Sequence, residues 1–137
     1  MTTEPAYHDA LIAAAPDSTA SRGMVPARGV AAFQYALLDG HPYQLTQADV
    51  LFRTAHRDTP GDLDALRAAH WDVFFAQPRA CLRASPLPKT YGWGLHFDAA
   101  GRVALLPVDS LEYRRLMTDP RVKIVPALRS ARPRRTP

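Results

Sequence analysis

The stretch that decides the fold is 79-RACLRASPLPKTYGWGLHFDAAGRVALLPVD-109, in which two short alternating segments flank a loop of two prolines, a lysine and a glycine-bracketed tryptophan. In "RACLRA", Arg79, Cys81 and Arg83 alternate with Ala80, Leu82 and Ala84. In "GWGLHFD", Trp93, Leu95 and Phe97 alternate with Gly94, His96 and Asp98. A period of two places each set on one face of a strand. Ala99, Ala100 and Gly101 then make a tight connection to the apolar "RVALLPVD", with Pro107 near its end. The expectation is an antiparallel meander of three strands.

Upstream, "YHDALIAAAP" alternates as a strand that Pro16 ends, and "DSTASRGMVPARG" reads as a long surface loop of the kind that moves or binds. Val30, Phe33, Leu37 and Leu38 recur at helical spacing before Asp39-Gly40 stops the helix. Thr46 followed by Asp49 has the form of a capping box opening a second helix. Thr59-Pro60 is expected to start a third, with Leu63, Leu66, Ala69, His70, Val73 and Phe74 as its apolar stripe. Beyond the meander, Ser110 caps a helix with Tyr113, Leu116 and Met117 inside, and "VKIVPAL" forms a last strand. The predicted class is α+β, order β-α-α-α-β-β-β-α-β, with helices packed on one face of an antiparallel meander.

At 137 residues with 47% hydrophobic side chains, the chain fits one domain, expected over residues 1–128, with residues 129–137 as a basic, flexible tail. No apolar run approaches a membrane span, and the N-terminus lacks a basic region followed by an apolar one, so a cytoplasmic protein is expected. Cys81 is the single cysteine, which excludes an intramolecular disulfide and a multi-cysteine zinc site. The five histidines are dispersed, without the pairs that hold metal, and Gly92 and Gly94 complete no dinucleotide fingerprint. Neither a metal nor a cofactor is expected.

The formal net charge of +4 equals the four arginines of "RSARPRRTP". The two halves of the chain nevertheless differ. Residues 1–78 hold five basic and nine acidic side chains, residues 79–137 twelve and four, and no acid lies between residues 73 and 97. Arg79, Arg83, Lys89 and Arg102 would therefore form a positive field suited to carboxylate or phosphate. The plainer reading is that such residues solvate strand edges.

The binding reading places a small anionic molecule or an acidic partner peptide on a basic strand-and-loop surface of Arg83, Lys89, Tyr91 and His96. A second reading is an enzyme: Cys81 as nucleophile or His96 in proton transfer, with Arg83 stabilising negative charge, provided a hairpin brings Cys81 to His96. Against it, a lone strand cysteine is commonly a small buried hydrophobe. A third is an interaction module using the same face flat. Trp93 between glycines reads as a packing residue. Nucleic acid ranks below a small anion, because the aromatic pattern lacks the stacking signature of sheet-based RNA binders.

The segments "HPYQLTQADVLF", "CLRASPLPKTYGWGLHFDAAGRVAL", "LEY" and "ALRSAR" resemble a family of small bacterial proteins known as a domain of unknown function. The likeness runs from Tyr7 to Arg132 and is most specific at Ser85-Pro86-Leu87, Lys89 and Tyr91-Gly92-Trp93-Gly94. It implies one compact domain and brings no activity with it.

Overall fold

Along strand β3 (Trp93–Phe97), Leu95 and Phe97 are fully buried on one face, and Gly94 and His96 lie on the other. Two layers therefore need covering. The computed structural model describes residues 6–130. In chain order its elements are β1 (Ala10–Ala13), α1 (Gly29–Leu38), β2 (Leu45–Thr46), α2 (Gln47–Ala55), α3 (Leu63–Phe75), a 3-10 turn (Leu82–Ala84), α4 (Pro86–Thr90), β3, β4 (Arg102–Pro107), α5 (Leu111–Met117) and β5 (Lys123–Pro126). The strands form one mixed sheet in the order β2-β4-β3-β1-β5.

The β3–β4 hairpin forms as expected, with Leu95 opposite Leu105. The meander does not extend to "RACLRA". That segment is irregular over Arg79 to Cys81 and a 3-10 turn over Leu82–Ala84, with α4 beginning just beyond it at Pro86. Its alternation is of cations against alanines, and Leu82 is its one large apolar residue, so a strand there would bury little. Instead Leu82 enters the core and its N–H donates to Gln47 Oε1 at 2.8 Å. Ser85 then caps α4, accepting from Leu87 N, with Pro86 in the first helical position.

Three further expectations are corrected. The sheet is not wholly antiparallel, since β1 pairs antiparallel with β3 and parallel with β5. A parallel neighbour requires a crossover, and the chain makes it through α5 between β4 and β5. Nor do the helices share one face, because α5 packs on the Gly94–His96 side while α1 and α4 cover the Leu95–Phe97 side. Helix α3 starts at Leu63 under an Asp62 cap rather than at Thr59-Pro60, and Val73 of its expected stripe is 71% exposed. It is Phe75, with Leu63, Leu66, Trp71 and Phe74, that packs around Ala48 and Phe52. The Thr46–Asp49 capping box and the Ser110 cap form as expected.

The Tyr91-Gly92-Trp93-Gly94 run ties both faces together. Gly92 has φ +79, and a Cβ there would fall on the Arg22 carbonyl oxygen. Trp93 Nε1 donates to Met24 O at 2.8 Å, and Met24 N donates to Tyr91 O at 2.8 Å. The long loop before α1 is thus strapped to β3 rather than free. On the other face a Cβ on Gly94 would meet the Tyr113 ring at 2.6 Å, and Tyr113 Oη accepts from Ala14 N at 3.1 Å.

A buried polar chain joins the helices on the Leu95–Phe97 side. Ser85 Oγ donates to Gln34 Oε1 at 2.6 Å, and Gln34 Nε2 donates to Thr54 Oγ1 at 3.2 Å. These contacts link α4 to α1 and α1 to α2. Residues 131–137 of the expected basic tail lie outside the described residues. Among the described residues no helix is long and apolar enough to cross a membrane.

Two stability outcomes follow from this packing. Gly92→Ala is expected to destabilise by about 3 kcal/mol, since strap and backbone both must move, whereas Gly40→Ala, at φ +75 with nothing within 4 Å, costs about 1 kcal/mol of conformational strain. Equal values in urea denaturation would rule the strap out. Ser85→Ala leaves Gln34 Oε1 without its donor and removes a cap, for an expected loss of about 2 kcal/mol, read from the same denaturation curves.

Candidate functional site

On the face of β3 that carries His96, the crossover leaves a hollow beside α5. Glu112, Arg115, Leu116 and Asp119 recur at i, i+3, i+4 and i+7, one stripe of α5 and its C-terminal extension. With Tyr43 and His96 they line a cavity of about 300 Å³. Tyr43 belongs to the turn between α1 and β2, and its N–H donates to Val103 O at 3.0 Å. Its φ of +58 is rare for an aromatic residue. Strain of this kind persists where the surroundings over-determine the conformation. Tyr43 Oη and His96 Nδ1 share a hydrogen bond of 2.8 Å, with the two rings edge to face.

Burial pushes the His96 pKa below its ordinary value, against the opposing pull of Asp98, Asp9 and Glu112. Burial also raises the Tyr43 phenol, and Glu112 and Asp98 add to it. At neutral pH the pair is therefore an uncharged imidazole beside a protonated phenol. Asp119 is engaged by Arg121, whose Nη2 lies 3.0 Å from the carboxylate, and those hydrogen bonds hold its carboxyl below the usual range. Arg115 is exposed and has neither an ion pair nor a side-chain hydrogen bond among the described residues. The cavity thus offers a free guanidinium, an imidazole and a phenol on one side of its chemistry, and the Glu112 carboxylate on the other.

The other residues singled out from sequence lie elsewhere. Tyr7 packs against Phe97 with ring centroids 5.4 Å apart and its Oη lies 3.5 Å from Cys81 Sγ, so Cys81 is on the Phe97 face. His96, the preceding residue of the strand, is on the opposite face. The hairpin that would have joined Cys81, Arg83 and His96 does not form. Burial and the Cys81 contact raise the Tyr7 phenol to about 12. Arg83 Nε donates to Pro126 O at 2.7 Å, tying the 3-10 turn to β5. Lys89 is half-buried on α4, and Tyr91 packs against the core.

The expected field of Arg79, Arg83, Lys89 and Arg102 is likewise divided. Arg79 lies over the Phe74 ring at 4.0 Å, while Arg102 is exposed on β4 opposite Thr46. Among the described residues no group of three or more His, Cys, Asp or Glu could hold a metal ion. Sequence reasoning reached His96 and missed Tyr43, Glu112 and Arg115. The α5 stripe was a usable signal. Tyr43 had none, because its role comes from a left-handed turn.

No curated protein and no solved structure matches the chain. One family model does, described as a family of unknown function, DUF6157, and it covers residues 2–133. The match takes in both strands of the hairpin, the crossover helix and every residue of the Tyr43–His96 cavity. The chain belongs to the DUF6157 family.

Proposed function

We propose that the protein is a small-molecule binding domain whose site is the Tyr43–His96 cavity, and that its ligand is a small carboxylate carrying a hydroxyl or amine. The observation that carries this reading is the 2.8 Å Tyr43–His96 pair set in a cavity with Arg115, which has no side-chain partner among the described residues. At about 300 Å³ the space is at the small end of ligand sites. Arg115 suits a carboxylate, whose planar pair of oxygens matches a guanidinium fork. Glu112 accepts from the ligand's hydroxyl or amine. The anionic ligand expected from the basic half of the chain is kept in this reading, and its place moves from the Arg83–Lys89–Tyr91 surface to the α5 face.

Titrating the isotope-labelled full chain with lactate, malate and serine, and following His96 and Tyr43 by NMR, tests the proposal. At least one ligand is expected to give saturable shifts at both residues, reduced about tenfold or more in affinity by Arg115→Ala. If none of the three does so, or Arg115→Ala binds as well as the wild type, the site is not this cavity.

The His96 shift sets the direction with pH. As pH falls from neutral through its lowered midpoint, His96 gains a positive charge beside Arg115, so carboxylate affinity rises. By reciprocity, bound carboxylate raises the His96 midpoint. His96→Gln is expected to bind with no such pH response, measured calorimetrically between pH 7 and pH 5; a response that survives in His96→Gln belongs to another group.

A further inference from the structure

Helices α1 and α2 meet along a groove that shares no residue with the Tyr43–His96 cavity. On α1, Phe33, Ala36 and Leu37 follow at i, i+3 and i+4. Two hollows open along the seam, one of about 210 Å³ floored by Phe33, Phe52, Leu63 and Leu66, the other of about 250 Å³ against Ala36, Leu37 and Leu45. Arg53 lines both. His56 and Arg57 border the first and His41 the second, and among the described residues no carboxylate lines either.

The neighbouring cations already have partners. Arg57 Nη1 donates to Thr54 O, and Arg67 pairs with Asp49 at 2.8 Å while lying over Trp71. Arg53 is half-buried and has no ion pair or side-chain hydrogen bond among the described residues. A half-buried arginine without a partner among the described residues, set between two hollows with apolar floors, leaves donors that an anion would satisfy.

We propose that this groove binds an amphipathic organic anion, a medium-chain alkyl carboxylate, with the carboxylate on Arg53 and the chain over Phe33 and Leu66. The apolar floor supplies hydrophobic contact and Arg53 fixes the polarity of the ligand. A neutral chain gains the first without the second, and a short anion the second without the first. Binding therefore requires both properties in one molecule.

Calorimetric titration of the full chain with octanoate, 1-octanol and acetate tests this. Octanoate is expected to bind saturably, with octanol and acetate at least tenfold weaker. Arg53→Met keeps the apolar length of the stem and is expected to lower octanoate affinity about tenfold or more. Leu66→Asp, on the peripheral helix, places a carboxylate beside the chain and is expected to do the same, while Arg115→Ala leaves octanoate binding unchanged. No saturable octanoate binding, equal binding of octanol, or wild-type affinity in Arg53→Met would each overturn the proposal. Circular dichroism of both variants identifies any loss of binding that comes from unfolding, and the octanoate-to-octanol ratio of the wild type tests the need for the carboxylate without either variant.

Discussion

Three successive positions, Gly92, Trp93 and Gly94, hold the two faces of the sheet in register with each other. Gly92 lets the Arg22 carbonyl lie where a side chain would otherwise be. Trp93 packs against Tyr35 of α1 with ring centroids 5.5 Å apart and its Nε1 donates to Met24 O, so it fixes both the first helix and the loop that leads to it. Gly94 seats the Tyr113 ring, and through it α5 meets the end of β1. Because β3 is the middle strand of five, what packs on it positions the whole domain. The second constraint is polar: Gln34, Gln47 and Ser85 are each 5% exposed or less and all are hydrogen-bonded. A satisfied buried network of this kind specifies one arrangement of α1, α2 and α4, since any other leaves an amide unpaired.

These constraints also explain where a site can form. The Leu95–Phe97 face is filled by a continuous core that includes Leu82 and Leu87 of the basic segment. The other face carries α5, seven residues long with none of them buried. A short crossover helix cannot span the sheet, and the space it leaves beside His96 is closed by Tyr43 from the α1–β2 turn. The residues with ligand chemistry are thus those at the margin of the thin layer. The α1–α2 groove has a similar origin, because α3 meets the body through side chains around Phe52 and leaves the seam with α1 open.

Much of this was readable from residue pattern, and the failures have identifiable causes. The hairpin, the Thr46 box, the Ser110 cap and the Asp39-Gly40 stop all rest on local rules that tertiary packing did not override. "RACLRA" misled because a two-residue period was carried by arginine and alanine, which drive no burial. The better signal stood next to it in Ser85-Pro86, a cap followed by a first-turn proline. Strand β2 has two residues and no period to detect. The parallel β1–β5 pairing is set by a crossover whose side of the sheet depends on Gly94 and Tyr113, far apart in sequence. Of the candidate site, His96 was found through its strand position, whereas Arg115 needed the crossover to bring it near.

The central claim is that the glycine-tryptophan run is a clasp and not a ligand loop, and hydrogen exchange tests it most directly. Trp93→Phe keeps an aromatic ring and removes the Nε1 donor to Met24. The account expects amides around Met24 to exchange about tenfold faster or more, with Leu95 and Leu105 in the β3–β4 hairpin keeping their protection. Unchanged exchange around Met24 in Trp93→Phe would contradict it, as would equal acceleration across the whole sheet.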